Sequence, residues 1–151
     1  MAEPTIRWAC ITRILELLRE REELANVSIT PGYAGDEAGT ECIWVDDVDG
    51  DMNVPVMRGP DAPVTYDDTF RLPIEIKVVA DGKDHDETRA RLAEIEATVI
   101  EVIARRSQLG ALPGVISARI TEARESSGEI RAVGTLAFAE VVTTVHYRIN
   151  P

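Results

Sequence analysis

The chain has 151 residues, with 27 acidic and 16 basic side chains and a formal net charge of −11. That length suits one domain (1–151) burying roughly 68–70% of its unfolded surface. A composition 44% hydrophobic and 28% charged excludes disordered, collagen-like and disulfide-scaffold chains. The acidic balance argues against a grip on nucleic acid, which needs Lys and Arg to neutralise phosphates.

Residues 5–25 read as a first helix, with Pro4 at a tolerated early position. At 100° per residue, Ile6, Cys10, Ile11, Ile14, Leu15, Leu17, Leu18 and Leu24 fall on one arc, and Thr12, Arg13, Glu16, Arg19, Glu20 and Glu23 on the other. Residues 27–30 form a short β-prone run ended by Pro31-Gly32. Residues 31–69 differ from the rest, with four Pro, five Gly and ten acidic residues against Arg58 alone. Their local net charge of −9 leaves −2 for everything else. Residues 42–45 read as a strand there and Asp49-Gly50 as a turn, so the segment is expected to be a ragged hairpin with an extended acidic arm.

Residues 70–79 alternate as a half-buried strand does, with Phe70, Leu72, Ile74, Ile76 and Val78 on one side. Pro73, on the outer side, predicts an edge or a bend because it cannot donate to a ladder. A second helix is expected over 84–108, with acids at its start and Arg105 and Arg106 at its end. Glu87–Arg91 and Glu101–Arg105 are spaced as i,i+4 pairs. Leu92, Ile95, Val99, Val102 and Ile103 form its stripe, and Ala93, Ala97, Ile100 and Ala104 widen it toward a second contact. Gly110 and Pro113-Gly114 terminate it.

Residues 115–124 alternate with Ile116, Ala118 and Ile120 inward. Ser126-Ser127-Gly128 is the expected hairpin loop, and a last strand runs over about 130–149 with Gly134 as a bulge. Even from residue 135 that strand would be about 50 Å long, whereas a domain of this size spans roughly 40 Å. It must bend or project, and both its faces are rich in apolar residues. The order gives an α+β class with a largely antiparallel or mixed sheet packed by two amphipathic helices.

Catalytic patterns are missing. Asp47 to Asn53 alternate oxygens as a calcium loop does, but position six is Met52 and position twelve Arg58, so an acidic turn is the better reading. Asp84-His85-Asp86 suits helix capping, because i and i+2 point apart on a helix. His146 has no companion at ligand spacing. Cys10 and Cys42 lack C-x-x-C spacing and fit plain packing in a reducing compartment. Pairs such as Asp46-Asp47 and Asp67-Asp68 read as solvated carboxylates, and no phosphate-binding or nucleophile-elbow motif occurs. The longest uncharged stretches, 24–35 and 107–118, have 12 residues and contain Gly and Pro, too short to span a membrane. Met1 to Pro4 show neither a basic head nor an apolar run, so no secretory signal is expected. No catalytic residue, cofactor or metal is therefore expected.

The order of elements resembles the phage tail terminator family of long-tailed bacteriophages. The resemblance rests on the amphipathic helix entering Val27-Ser28-Ile29-Thr30-Pro31-Gly32 and on the strand Glu41-Cys42-Ile43-Trp44-Val45. It continues through Phe70-Arg71-Leu72-Pro73-Ile74-Glu75-Ile76-Lys77-Val78, the helix opening at Asp84-His85-Asp86, the exit Leu109-Gly110-Ala111-Leu112-Pro113-Gly114-Val115 and the long closing strand. It implies a homo-oligomeric ring, commonly a hexamer, at the head-proximal end of the tail tube. Such a ring stops tube polymerisation and joins the tail to the head-side connector. It sits in the virion after assembly in the host bacterial cytoplasm, lets DNA pass without specific binding and touches no membrane.

On that reading, an arm carrying Asp46, Asp47, Asp49 and Asp51 would line the bore or an interface, where six copies of a −11 chain repel DNA. Ile100, Phe138, Val142, Val145, Tyr147 and Ile149 are the expected subunit interface. Another neck, head–tail joining or tube component of the virion, and a small metal-binding enzyme or binding module, are the alternatives.

Overall fold

The computed structural model describes residues 6–33, 35, 40–45, 66–80, 85–130 and 134–149. In chain order these form α1 (Ile6–Arg19), a 3-10 turn (Glu22–Leu24), β1 (Ser28–Thr30), β2 (Glu41–Val45), β3 (Tyr66–Ala80), α2 (His85–Ala104), β4 (Val115–Ile130) and β5 (Gly134–Ile149). The fold is α+β. A five-stranded mixed sheet has the order β1-β2-β3-β5-β4, with β1 parallel to β2 and every other pair antiparallel. The expected acidic arm, residues 46–65, joins β2 to its antiparallel neighbour β3 and lies outside the described residues.

One face of the sheet is covered by helices. α2 packs over β5, β3 and β4, and α1 packs beside it against β1. The α1 stripe supplies Cys10, Ile11, Ile14, Leu15, Leu17 and Leu18; α2 supplies Leu92, Ile95, Val99, Val102 and Ile103. They meet Phe70, Leu72, Ile74, Ile76 and Val78 of β3 and Ala137, Ala139, Val141, Val145 and Tyr147 of β5 in one core. Strand alternation sends these residues to the helix side, and burial of a Leu- or Ile-sized side chain contributes roughly 1.5–3 kcal/mol.

Polar ties fix the helices on this core. Arg91 of α2 makes a two-pronged bond to Glu41 of β2 (Nε to Oε2 2.8 Å, Nη2 to Oε1 2.9 Å) and also reaches Glu94 at 3.1 Å. The expected Glu87–Arg91 pairing therefore yields to Glu41, because a planar guanidinium matches a carboxylate fork better than it does a neighbour along the helix. Glu101–Arg105 forms as spaced, at 3.0 Å. Arg19 donates to the Ile29 carbonyl at 2.8 Å, joining α1 to β1.

Several boundaries differ from the sequence pattern. α1 stops at Arg19, and Leu24 reaches the core from the 3-10 turn rather than from a continued helix. α2 ends at Ala104 rather than 108, followed by turns in which Leu109 (φ 50°) and Ala111 (φ 62°) adopt left-handed backbone. That path buries the Leu109 side chain completely. Gly114 (φ 88°) closes the turn. Its carbonyl accepts from the Arg148 amide at 2.7 Å, and a Cβ there would lie 3.3 Å from the Arg148 carbonyl. Only glycine combines that φ with that approach at little cost.

Pro73 is not on an edge strand, since β3 is central. It lies one position past Val45↔Ile74, the last β2 pair, where that flank of β3 has no described partner. The β4–β5 turn is not at Ser126-Ser127-Gly128; these residues pair with Phe138, Ala137 and Leu136, and β4 runs on to Ile130 opposite Gly134. β4 is the sheet's outer strand, so small residues of weak strand preference are carried by the ladder to β5 alone. Ile116 is exposed rather than inward. A register shift between Val115 and Ser117 makes it the extra residue of a bulge, so Val115 and Ala118 fill the inward positions instead.

Candidate functional site

The other face of the sheet carries no described helix. Its residues follow from the register. Trp44, Glu75, Glu140 and Arg124 form one row across β2, β3, β5 and β4; Lys77, Phe138 and Ser126 form the next; Pro73, Val142 and Glu122 lie on the opposite side of the first. Phe138, Glu75, Glu140, Arg124 and Ser126 share one shallow depression. Glu75 and Glu140 stand directly opposite each other, an arrangement that is unfavourable for a pair left to itself.

Beside them Tyr33 stacks at a tilt on Trp44, ring centres 4.8 Å apart, and Lys77 Nζ donates to the Tyr33 hydroxyl at 2.6 Å. Tyr33 is nevertheless 54% exposed. Arg71 of β3 and Glu122 of β4 form a 2.8 Å ion pair that bridges over β5 at the level of Val142. This face is a broad mixture of apolar, aromatic and charged groups. It suits contact with another protein surface better than enclosure of a small molecule.

The expected interface residues divide between the two faces. Val145 and Tyr147 lie in the chain's own core, fully buried, with the Tyr147 ring 5.4 Å from Phe70. They are not available to a neighbour, because α1 and α2 cover the side of β5 to which they alternate. Ile100 is half-buried and packs against that core. Phe138 is half-buried on the open face, and Val142 is on that face but only 1% exposed. Ile149 pairs with Tyr66 through its backbone, and its side chain lies outside the described set. Asp46, Asp47, Asp49 and Asp51 also lie outside the described residues, as does the calcium-like run they belong to. Ala93, Ala97 and Ala104, expected to widen the α2 stripe, are exposed.

Among the described residues the titratable groups show no catalytic arrangement. Burial pushes the Cys10 thiol up to about 12 and raises Cys42 as well, so both stay protonated thiols and weak nucleophiles. Among the described residues no group of three or more His, Cys, Asp or Glu is placed to hold a metal ion, and no described helix is long and apolar enough to cross a membrane.

The sequence reading missed Glu96. It lies on the buried α2 stripe between Leu92 and Val99, is 8% exposed, and its Oε2 has no partner. Its spacing, four after Leu92 and three before Val99, was the available signal. Thr143 Oγ1 and the Tyr147 hydroxyl are likewise buried without a partner.

No family model and no curated protein matches the chain. Among the solved structures that do match is a chain from the virion of a native gene transfer agent particle. It has a TM-score of 0.60 at 10% sequence identity, and the alignment covers 96% of this chain and 100% of that one. At that identity the likeness shows a common fold, extending over nearly the whole of this chain.

Proposed function

We propose that the chain is a structural protein of a phage-like virion, and within it a tail terminator. The observation that carries the reading is the whole-length fold likeness to a chain of a gene transfer agent virion. Two features of this chain support it. The sheet face bearing Trp44, Phe138 and the Arg71–Glu122 pair is left open by the described helices. The sixteen-residue strand β4 forms the outer edge of the sheet, with β5 as its partner. Long unpaired edges and open mixed faces are what an assembly subunit presents to its neighbours and what a solitary protein must blunt.

In this reading sister copies close a ring, with six as the commonest number, through the open face around Phe138 and the end of β5 near Ile149. The ring caps the head-proximal end of the tail tube and offers its other side to the head connector. The acidic segment with Asp46, Asp47, Asp49 and Asp51 faces the bore, where it repels DNA in passage and leaves no specific grip. The protein needs no cofactor and performs no catalysis.

Native mass measurement of the purified chain, alone and with tail tube protein, tests the proposal. A closed ring that binds tube ends and halts their growth is the expected result. Single chains under both conditions would overturn the reading. Association with a portal protein in preference to tube protein would move the chain to another position in the neck.

A further inference from the structure

We propose that two copies of this chain pair edge to edge through β4, antiparallel about Ala123, with Arg124 of each opposite Glu122 of the other. The contact goes beyond the proposed ring and does not rest on it. That ring uses the open face, whereas this pair uses the rim of the sheet.

Hydrogen bonds locate a free part of that rim. The Ala118 amide donates to the Ser107 carbonyl at 2.6 Å, away from β5, at the level of Val145. In an antiparallel ladder every second residue exchanges both its bonds with the neighbouring strand, and the residues between turn theirs outward. Carried along β5 in steps of two from Val145, this phase falls at Thr143, Val141 and Ala139, hence at Ile120, Ala123 and Glu125 of β4. The other flank of β5 agrees. The Val79 amide donates to the Thr40 carbonyl at 2.7 Å on the β2 side. The even-numbered β3 residues Ile74 and Ile76 therefore spend their bonds on Val141 and Ala139. Ala123 and Glu125 thus aim amide and carbonyl away from the sheet, and among the described residues nothing bonds to these groups.

Two other stretches of rim are closed. At β1 the Ile29 carbonyl accepts from Arg19 at 2.8 Å, and at the inner end of β4 the Ser107 carbonyl occupies the Ala118 amide. Residues 123–126 are exposed, and the small side chains of Ala123 and Ser126 let another backbone come close. A further strand is what such a rim accepts.

Charge selects the occupant and the register. Glu122 and Arg124 stand on the open face, one on either side of Ala123. That spacing complements itself when a second β4 runs the other way. Centred on Ala123, the pair sets Arg124 against the partner's Glu122 and Glu122 against the partner's Arg124, with two methyl groups at the two-fold axis. Centring on Arg124 would oppose two guanidiniums, and centring on Glu125 two carboxylates, both unfavourable. Centring on Ser126 would set Arg124 against Gly128, without a carboxylate. Arg124 is free to turn toward a partner, since its side chain is 74% exposed and comes no closer than 3.6 Å to its own Glu122.

So short a ladder buries less than a lasting dimer needs. The pair therefore forms and parts, and it is read by trapping. Ala123→Cys sets two thiols across the axis with about 5.5 Å between Cα atoms, within disulfide reach. The native Cys10 and Cys42 are buried and do not compete. In the full chain under a mild oxidant, Ala123→Cys should form linked pairs about tenfold faster than Ala104→Cys, at an exposed site on α2. Adding Arg124→Glu, which opposes carboxylates, should bring the rate down to that of Ala104→Cys, and adding Glu122→Arg as well should restore it. Linking at 123 no faster than at 104 would overturn the pair. So would fast linking that Arg124→Glu leaves unchanged, or a double exchange that fails to restore it. A closed ring with slow linking at 123 removes the pair alone, and fast linking without a ring removes the ring alone.

Discussion

The two faces of the central strands contrast sharply, although along β5 both are rich in apolar residues. On the covered face, Ala137, Ala139, Val141, Val145 and Tyr147 are at most 1% exposed, shut in by α1 and α2. On the other face, Leu136, Phe138, Glu140, Thr144 and His146 keep part of their surface, and among the described residues no helix but the Arg71–Glu122 ion pair spans β5 there. The same period-two pattern thus serves two tasks. One side closes the monomer and the other is covered by no described helix, and on the strands charge is interleaved with the aromatic groups of that second side.

Substitutions graded across the sheet would break or sharpen this contrast. Ile76→Ala, at a fully buried position under the helices, should destabilise the monomer by about 2–5 kcal/mol in denaturant unfolding, because the lost methyl groups leave a cavity the packed core cannot close. A cost under about 1 kcal/mol would mean that the helices do not clamp this face. Val142→Ala is the intermediate case. It is buried to 1% exposure, yet it lies on the face that no described helix covers, where neighbours can shift into the gap, so a loss near 1–2 kcal/mol is expected by the same measurement. A loss as large as that of Ile76→Ala would make the two faces equivalent.

Phe138→Ser should cost the monomer least, under about 1 kcal/mol for a half-exposed side chain, while abolishing assembly seen by native mass measurement. Should assembly survive intact, contact runs through another surface, with the β4 edge next to be examined.

Much of this architecture was readable in the chain. The alternation from Phe70 to Val78, the α1 stripe as far as Leu18 and the Leu92-to-Ile103 stripe of α2 appear where the periodicity put them, because a buried strand or helix must repeat its apolar residues every two or about 3.6 positions. The strand-like bias of β5 was equally clear. Its ambiguity between two apolar faces is equally real: the pattern suits Val145 and Tyr147 to an interface, and the fold buries them in the core. No local pattern can say which face of a strand the helices choose when both would suit.

The site was less legible than the fold. Glu96 stood on the helix stripe in plain sequence, but the burial of its carboxyl with Oε2 unpartnered depends on what the fold packs around α2. The bulge that turns Ile116 outward and the extension of β4 past Ser126 are likewise products of pairing with β5.

By itself the sequence determined the kind of each element, its apolar side and the lopsided distribution of acid, because these depend on residues a few positions apart. Strand order, the covered side of the sheet, the exchange of Glu87 for Glu41 as the partner of Arg91, and the burial of the Glu96 carboxyl were decided by tertiary structure. Each of these depends on packing and hydrogen-bond geometry between distant segments, for which local periodicity carries no signal.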